Sequence, residues 1–224
     1  MQKLPETALL FFMSGWERCL VLERGCPMLM EKLPRFLSGK PVYGLTDGIC
    51  FTDGGRGAPQ AADTVETLRV LGVKTVIAVG MFGAFAEGVE VGDIVIPSKA
   101  FIEEGTSHHY AAAPEFSLPD EALAEELSRL LPARRFAIVS TDAVYRQTFL
   151  KESLWRQKAA VGVDMETSAV FTAARFLGLR AAAVLIASDK HPLDASQPRW
   201  SWMIGSEMRC GFITGVCSAA EKLP

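Results

Sequence analysis

The chain has no basic excess, no apolar run long enough to span a bilayer and no C-x-x-C pair. Each absence removes a class of function. Lys and Arg number 23 against 26 Asp and Glu, a formal net charge of −3, so there is no surplus of cations to neutralise nucleic-acid phosphates. No stretch approaches the roughly 20 apolar residues of a membrane span, so we expect no membrane partner. The apolar start of the chain is interrupted by Glu6 and followed by no convincing cleavage site, which leads us to expect a cytoplasmic protein without a signal peptide. The 5 cysteines, Cys19, Cys26, Cys50, Cys210 and Cys217, form an odd, scattered set that reads as reduced thiols rather than a disulfide frame or zinc site. Histidines are scarce too. His108 and His109 are adjacent on a polar loop, where two side chains rarely face one ion, and no second cluster accompanies them, so no metal is expected.

What is present is the material of an ordinary globular protein. A length of 224 residues with 49% apolar and 22% charged residues suits one domain over residues 1–224 with a full core. Apolar runs of strand length alternate with amphipathic stretches, which predicts an α/β fold of three layers, α/β/α, about a central mixed, mostly parallel sheet. The reading in order is a strand over Ala8–Met13, a turn, a short strand over Cys19–Leu22 and a helix over Met28–Leu37 broken by Pro34. Strands follow at Pro41–Leu45 and Gly48–Thr52, then a glycine-rich loop from Asp53 that opens a helix to Leu71. Further strands are read at Lys74–Val79, Val91–Pro97 and Arg135–Ser140, a helix at Pro119–Leu131 and a closing helix at Trp200–Glu221.

The most informative stretch is Val161 to His191. Asp164 and Glu166 stand where a helix begins, its apolar run ends at Gly178, and the strand A-A-A-V-L-I-A then leads to Ser188-Asp189. In open α/β sheets ligands gather at the carboxyl ends of strands, which would put Glu166 and Asp189 in one site. Taken singly, each also has an ordinary structural explanation: a first-turn acid as a dipole partner, an Asp after a strand as a helix cap. Gly80-x-x-Gly83 after a strand suggests a dinucleotide loop, but Ala86 occupies the third glycine position and no ribose-binding acid follows at the usual distance.

Four segments taken together, G-G-R-G-A-P-Q-A-A, A-V-G-M-F-G-A-F-A-E-G-V-E-V-G-D-I-V-I-P, E-E-G-T-S-H-H-Y with S-T-D-A-V-Y, and V-D-M-E-T-S-A-V with A-S-D, run from about Gly54 to His191. In that order they resemble the nucleoside phosphorylase and nucleosidase superfamily, which includes purine nucleoside phosphorylase, uridine phosphorylase and methylthioadenosine nucleosidase. The resemblance implies cleavage of an N-glycosidic bond through an oxocarbenium-like transition state, without metal or organic cofactor and with phosphate as co-substrate in a phosphorylase. It implies that Glu166 holds the ribose 2′-hydroxyl and Met165 packs on the sugar or base. Asp189 would protonate purine N7, helped by a pKa raised through burial, and Gly83 would let the base approach the backbone. Val144 falls where relatives carry a base-stacking aromatic, so Tyr145 is expected to share that role.

On the nucleophile side the chain departs from the pattern. Ala78 stands at the usual phosphate-binding Arg, and Met81 at the usual Thr or Ser of the G-T-x-G turn beginning at Gly80. Arg56, in place of a Met, is the candidate compensating phosphate ligand beside Gly80, with Arg18 or Arg24 as a second contact. If water is the nucleophile instead, Glu17 is the candidate that activates it. The expected activity is phosphorolysis of a purine nucleoside, with hydrolysis, a uridine-phosphorylase-like specificity and a non-catalytic nucleoside-binding protein as alternatives. The resemblance also implies a homo-oligomer, a dimer or hexamer.

Overall fold

The first strand shows how the molecule is layered. Ala8, Leu10 and Phe12 point into one core, and Leu9, Phe11 and Met13 into another on the opposite side. A strand apolar on both faces has to be covered on both. The computed structural model of the chain describes residues 3–112, 114–194, 196–197 and 204–224. In chain order its elements begin with β1 (Thr7–Phe11), a π-helical turn (Glu17–Glu23), β2 (Met28–Met30), β3 (Val42–Thr46), β4 (Ile49–Asp53) and α1 (Gly57–Val70). Next come β5 (Thr75–Ala84), β6 (Ile94–Glu103), a one-turn helix (Thr106–His109), β7 (Phe116–Ser117), α2 (Glu121–Leu130) and β8 (Ala133–Thr141). The rest is a one-turn helix (Val144–Arg146), α3 (Phe149–Gln157), β9 (Ala160–Asp164), α4 (Thr167–Phe176), β10 (Arg180–Lys190) and α5 (Ser206–Ala220). None of the helices among the described residues is long and apolar enough to cross a membrane.

Helices α1 and α4 cover one face through residues such as Val65, Leu68, Val170 and Phe171, while α2 and α5 cover the other through Leu123, Leu127, Ile213 and Val216. The sheet between them is mixed. Its long pairings are parallel: β1 lies between β4 and β5, β5 pairs with β10, and β6 with β8. Short antiparallel pairings curl it. β9 returns against β5 through Gly83↔Val163 and Ala84↔Gly162, and β10 meets β6 through Leu185↔Val95 and Ile186↔Ile94. Strands β5, β10, β6, β8 and β9 thereby close on themselves, and β1-β4-β3-β2 extends from β5 as an open wing. Trp155 packs α3 onto the closed part, beside Phe85, Phe101 and Val163.

Several local expectations are corrected. Cys19–Leu22 is not a strand but part of the π-helical turn, which buries Cys19 and Leu20. The apolar spacing of Met28–Leu37 suggested a helix, yet only the edge strand β2 forms, paired to β3, and turns follow. Pro34 withholds a helical N–H, and Arg35 is committed elsewhere. Two elements, α3 and β9, were not anticipated. The strand at Val91–Pro97 begins later and is continuous with the extended stretch expected at Ala100–Glu103, and the closing helix is described from Ser206, residues 200–203 of its expected range lying outside the described residues. Cys19 and Cys210, expected as thiols, form a disulfide across a sequence separation of 191, because α5 packs over the π-helical turn. Cys26, Cys50 and Cys217 are buried and free.

One buried arginine holds the wing to α1. Arg35 Nε donates to Leu37 O, Nη1 to Asp53 O and Thr64 Oγ1, and Nη2 to Ser38 O and Asp53 Oδ1, so all of its N–H groups are used. Arg35→Met should leave three carbonyls and the Asp53 carboxylate without this partner, lowering stability by about 3 kcal/mol or more in urea unfolding. Arg35→Lys should recover little, because one ammonium cannot reproduce the planar fork.

Candidate active site

The loop after β4 is the first component. Gly57 takes φ +74°, a left-handed turn that points its N–H at Glu166 Oε1, 2.6 Å away. Glu166 stands at the start of α4, where the free N–H groups favour negative charge, and its Oε2 accepts from Met165 N at 3.3 Å. Asp164, at the end of β9, accepts from Ser140 Oγ at 2.5 Å and from Thr167 N and Oγ1 at 3.1 and 2.5 Å. Burial and the adjacent Asp164 charge push the Glu166 carboxyl well above the ordinary glutamate range, against the Gly57 and Met165 amides and the Arg56 charge. Burial also pushes Asp164 up, against the hydrogen bonds from Ser140 and Thr167.

The second component lies at the end of β10. The β5–β10 register shifts between Ala187 and Asp189, so Ser188 is a bulge residue and Asp189 is set opposite Gly83. Ser188 Oγ donates to Asp189 Oδ1, and His191 Nε2 lies 3.1 Å from Asp189 Oδ2. The other ring nitrogen, Nδ1, is 2.7 Å from Glu152 Oε1 on α3. Burial alone would lower the His191 pKa, but the hydrogen bonds to Asp189 and Glu152 outweigh it and raise it to about 9. Gly83 is required here because a Cβ would stand 2.5 Å from His191 Nε2 and 3.1 Å from Asp189 Oδ2. Gly83 therefore makes room for the His191 ring.

The two components meet across the end of β5. Gly83 pairs with Asp189 on one side and with Val163, two residues before Met165, on the other. Val144 and Tyr145, with Thr148, Phe149, Glu152 and His191, line a cavity of about 620 Å³; Tyr145 is 98% exposed. The structure thus places Asp189, Gly83, Val144 and Tyr145 on the His191 side and Glu166, Met165 and Arg56 on the loop side. Arg56 Nη1 donates to Gly55 O and lies 3.8 Å from Asp53 Oδ2, with the side chain 59% exposed.

Gly80 lies inside β5, where a Cβ would touch Leu185 and Phe12, so it lines no open space. Ala78 is fully buried in one core and Met81 packs against the other. Arg18 pairs with Glu23 and Arg24 with Glu221, neither facing Glu166. Among the described residues no group of three His, Cys, Asp or Glu side chains could hold a metal ion. His191, Glu152 and Ser188 were given no role in the sequence reading. The strand period of two in S-D-K-H, which sets positions 189 and 191 on one face, was the available signal for His191; Glu152 sat on a helix not anticipated.

Because folding favours the protonated form of Glu166, its contribution to stability is present in acid and is lost as pH rises from the ordinary glutamate range through its native pKa. The urea midpoint of the wild-type chain should fall between about pH 5 and about pH 8, and that of Glu166→Gln should fall less. Equal slopes in the two proteins would mean that Glu166 titrates normally.

A profile of the phosphorylase superfamily matches residues 24–208. A guanosine phosphorylase of Halorubrum lacusprofundi is 36% identical over 144 residues, 61% of this chain and 58% of that protein. A purine nucleoside phosphorylase of the DeoD type 2 from Vibrio parahaemolyticus is 30% identical over 142 residues, 60% of each. A uridine phosphorylase of Haemophilus influenzae is 29% identical over 170 residues, 66% of this chain and 64% of that protein. The chain therefore spans less than two thirds of the length of these curated relatives. A crystal structure of AMP nucleosidase from Bacteroides thetaiotaomicron superposes with a TM-score of 0.76 over 97% of this chain and 89% of that one, at 20% identity, and shares the fold. By the profile match and the ordered motifs, the chain belongs to the phosphorylase superfamily.

Proposed function

We propose that the protein cleaves the N-glycosidic bond of a purine nucleoside by phosphorolysis, giving free base and ribose 1-phosphate. The observation that carries this reading is the meeting, across Gly83, of a carboxylate for the sugar with a hydrogen-bonded acid for the base. Breaking the bond leaves positive charge on the ribose ring and negative charge on the departing base. Glu166, beside Asp164, supplies a hydroxyl acceptor on the sugar side. Asp189 stands on the base side, where a purine offers N7 as a proton acceptor and a pyrimidine offers no such atom. The cavity lined by Val144, Tyr145 and Phe149 is of the size that small ligands fill. The relatives named guanosine and purine nucleoside phosphorylase favour the same substrate class.

Phosphate would enter on the loop side. Arg56 is the cation there, largely exposed, weakly paired to Asp53 and close enough for its charge to act on Glu166. A single guanidinium is a sparse site for a dianion, and the apolar Ala78 and Met81 favour a second reading in which water attacks and ribose is released. Base release from inosine, adenosine and uridine, each with and without phosphate, decides between the two. Under phosphorolysis, release requires phosphate, and Arg56→Ala raises the phosphate KM about 10- to 100-fold, the worth of one charge-assisted hydrogen bond. Equal release without phosphate, unaffected by Arg56→Ala, selects hydrolysis. Binding of all three nucleosides without release would overturn both.

A further inference from the structure

The proposed reaction needs a proton at the base as the bond breaks, and an imidazole stands between two acids beside the base side of the site. His191 bridges two buried carboxylates, with Nδ1 2.7 Å from Glu152 Oε1 and Nε2 3.1 Å from Asp189 Oδ2. A neutral imidazole has a single N–H and would turn a lone pair towards one of these oxygens. With both carboxyls ionised, two contacts at hydrogen-bond distance to two acceptors require both nitrogens to carry hydrogen. We propose that His191 is the proton reservoir for the leaving base, delivering through Asp189, and that Glu152 is the positioning residue that keeps the imidazole charged and aimed. The inference rests on the purine reading above and adds to it the source of the proton.

The surroundings are arranged for that task. Glu152 sits in the first turn of α3, which Thr148 caps by accepting from Lys151 N, and a helix start favours a carboxylate. Arg156, one turn on, stands 4.0 Å from Glu152 Oε2 and donates to Phe85 O, which fixes the outer side of the acid. The ring is further placed by its own backbone, His191 N donating to Ala84 O at 2.7 Å. Lys190, the neighbouring cation on β10, is engaged with Glu90. Asp189 Oδ1 accepts from Ser188 Oγ, and Oδ2 faces the imidazole. His191 and Glu152 both line the cavity assigned to the base.

The step balances. As the glycosidic C–N bond breaks, its electron pair goes to the base and N7 takes a proton from the Asp189 carboxyl. Asp189 has received that proton at Oδ2 from His191 Nε2, so it ends ionised, as it began. The imidazole ends neutral, still donating from Nδ1 to Glu152, and regains a proton from water at the cavity mouth. Activity that depends on the charged imidazole is lost as pH rises through its pKa, raised to about 9 by its two acid partners against the burial that lowers it. Removing the Glu152 charge weakens one of the two and moves that loss to lower pH.

The test compares inosine with 7-methylinosine, whose base already carries positive charge at N7 and departs without protonation. His191→Gln should lower kcat on inosine about 100-fold or more, the range of general acid catalysis, and lower kcat on 7-methylinosine far less. Glu152→Gln, which keeps shape, should move the alkaline limb of kcat/KM on inosine to lower pH. His191 in the wild-type protein should titrate by NMR well above an ordinary histidine. Equal losses on the two substrates, or a His191 that titrates near the ordinary value of about 6.5, would overturn the relay while leaving the purine reading intact. A wild-type protein that releases base from neither substrate would overturn the purine reading and the relay with it.

Discussion

The cost of burying carboxylates governs this site. Glu104, Glu152, Asp164, Glu166 and Asp189 are each less than a tenth exposed, and an uncompensated carboxylate in such surroundings costs several kcal/mol. The compensation differs from one to the next, and the difference separates support from chemistry. Glu104 is held by the amides of Thr106 and Ser107 and the hydroxyl of Ser168. Asp164 is held by the hydroxyls of Ser140 and Thr167 and by a helix-start amide. Those donors are fixed, so these two acids brace the strand ends. Glu166 has only two backbone donors to share between its oxygens and keeps acceptor capacity for a ligand hydroxyl. Asp189 and Glu152 share one imidazole, a partner that can give up its proton.

The fold supplies these partners because its closed strands end together. Ser140 lies one residue before the end of β8, Asp164 closes β9, Gly83 lies near the end of β5, and the Ser188 bulge re-aims the end of β10. Had β5 and β9 not come back together at Gly83↔Val163, Glu166 and Asp189 would lie on separate edges. The wing contributes the remaining piece. Arg35 pins the chain around Asp53, and the loop then turns at Gly57 to offer its amide to Glu166. A change in the wing is therefore expressed at α4, more than a hundred residues away in the sequence.

The sequence was legible where periodicity and spacing carry the information. The two-faced apolar runs of β1, β5 and β10 announced a covered sheet, Gly178 marked the end of α4, and the acids at positions 166 and 189 were placed at strand and helix ends where they stand. Legibility failed where tertiary partners decide. Met28–Leu37 has helical apolar spacing but spends Arg35 on three carbonyls, so no helix forms. The disulfide joins residues separated by 191 positions, which no local pattern reveals. Helix α3 is polar and short, so nothing in the sequence singles out Glu152, and without it His191 is only a residue just past a strand. At Gly83 the missing side chain also leaves room for the His191 ring, a neighbour that the sequence does not reveal.

In the proposed reaction Arg56 would couple the nucleophile side to the sugar side. Glu166 is pushed towards its neutral form by burial and by Asp164, and Arg56 is the one cation among the causes that oppose this. A phosphate dianion drawn to Arg56 would spend that charge and add its own, so like-charge repulsion would drive Glu166 further towards the protonated form. Phosphate binding would then take up a proton at Glu166, turning an acceptor for the ribose hydroxyl into a group that can also donate. Water makes no such demand. Under the proposed reaction, the choice between phosphate and water would then turn on how much charge the Gly57–Glu166 corner can hold.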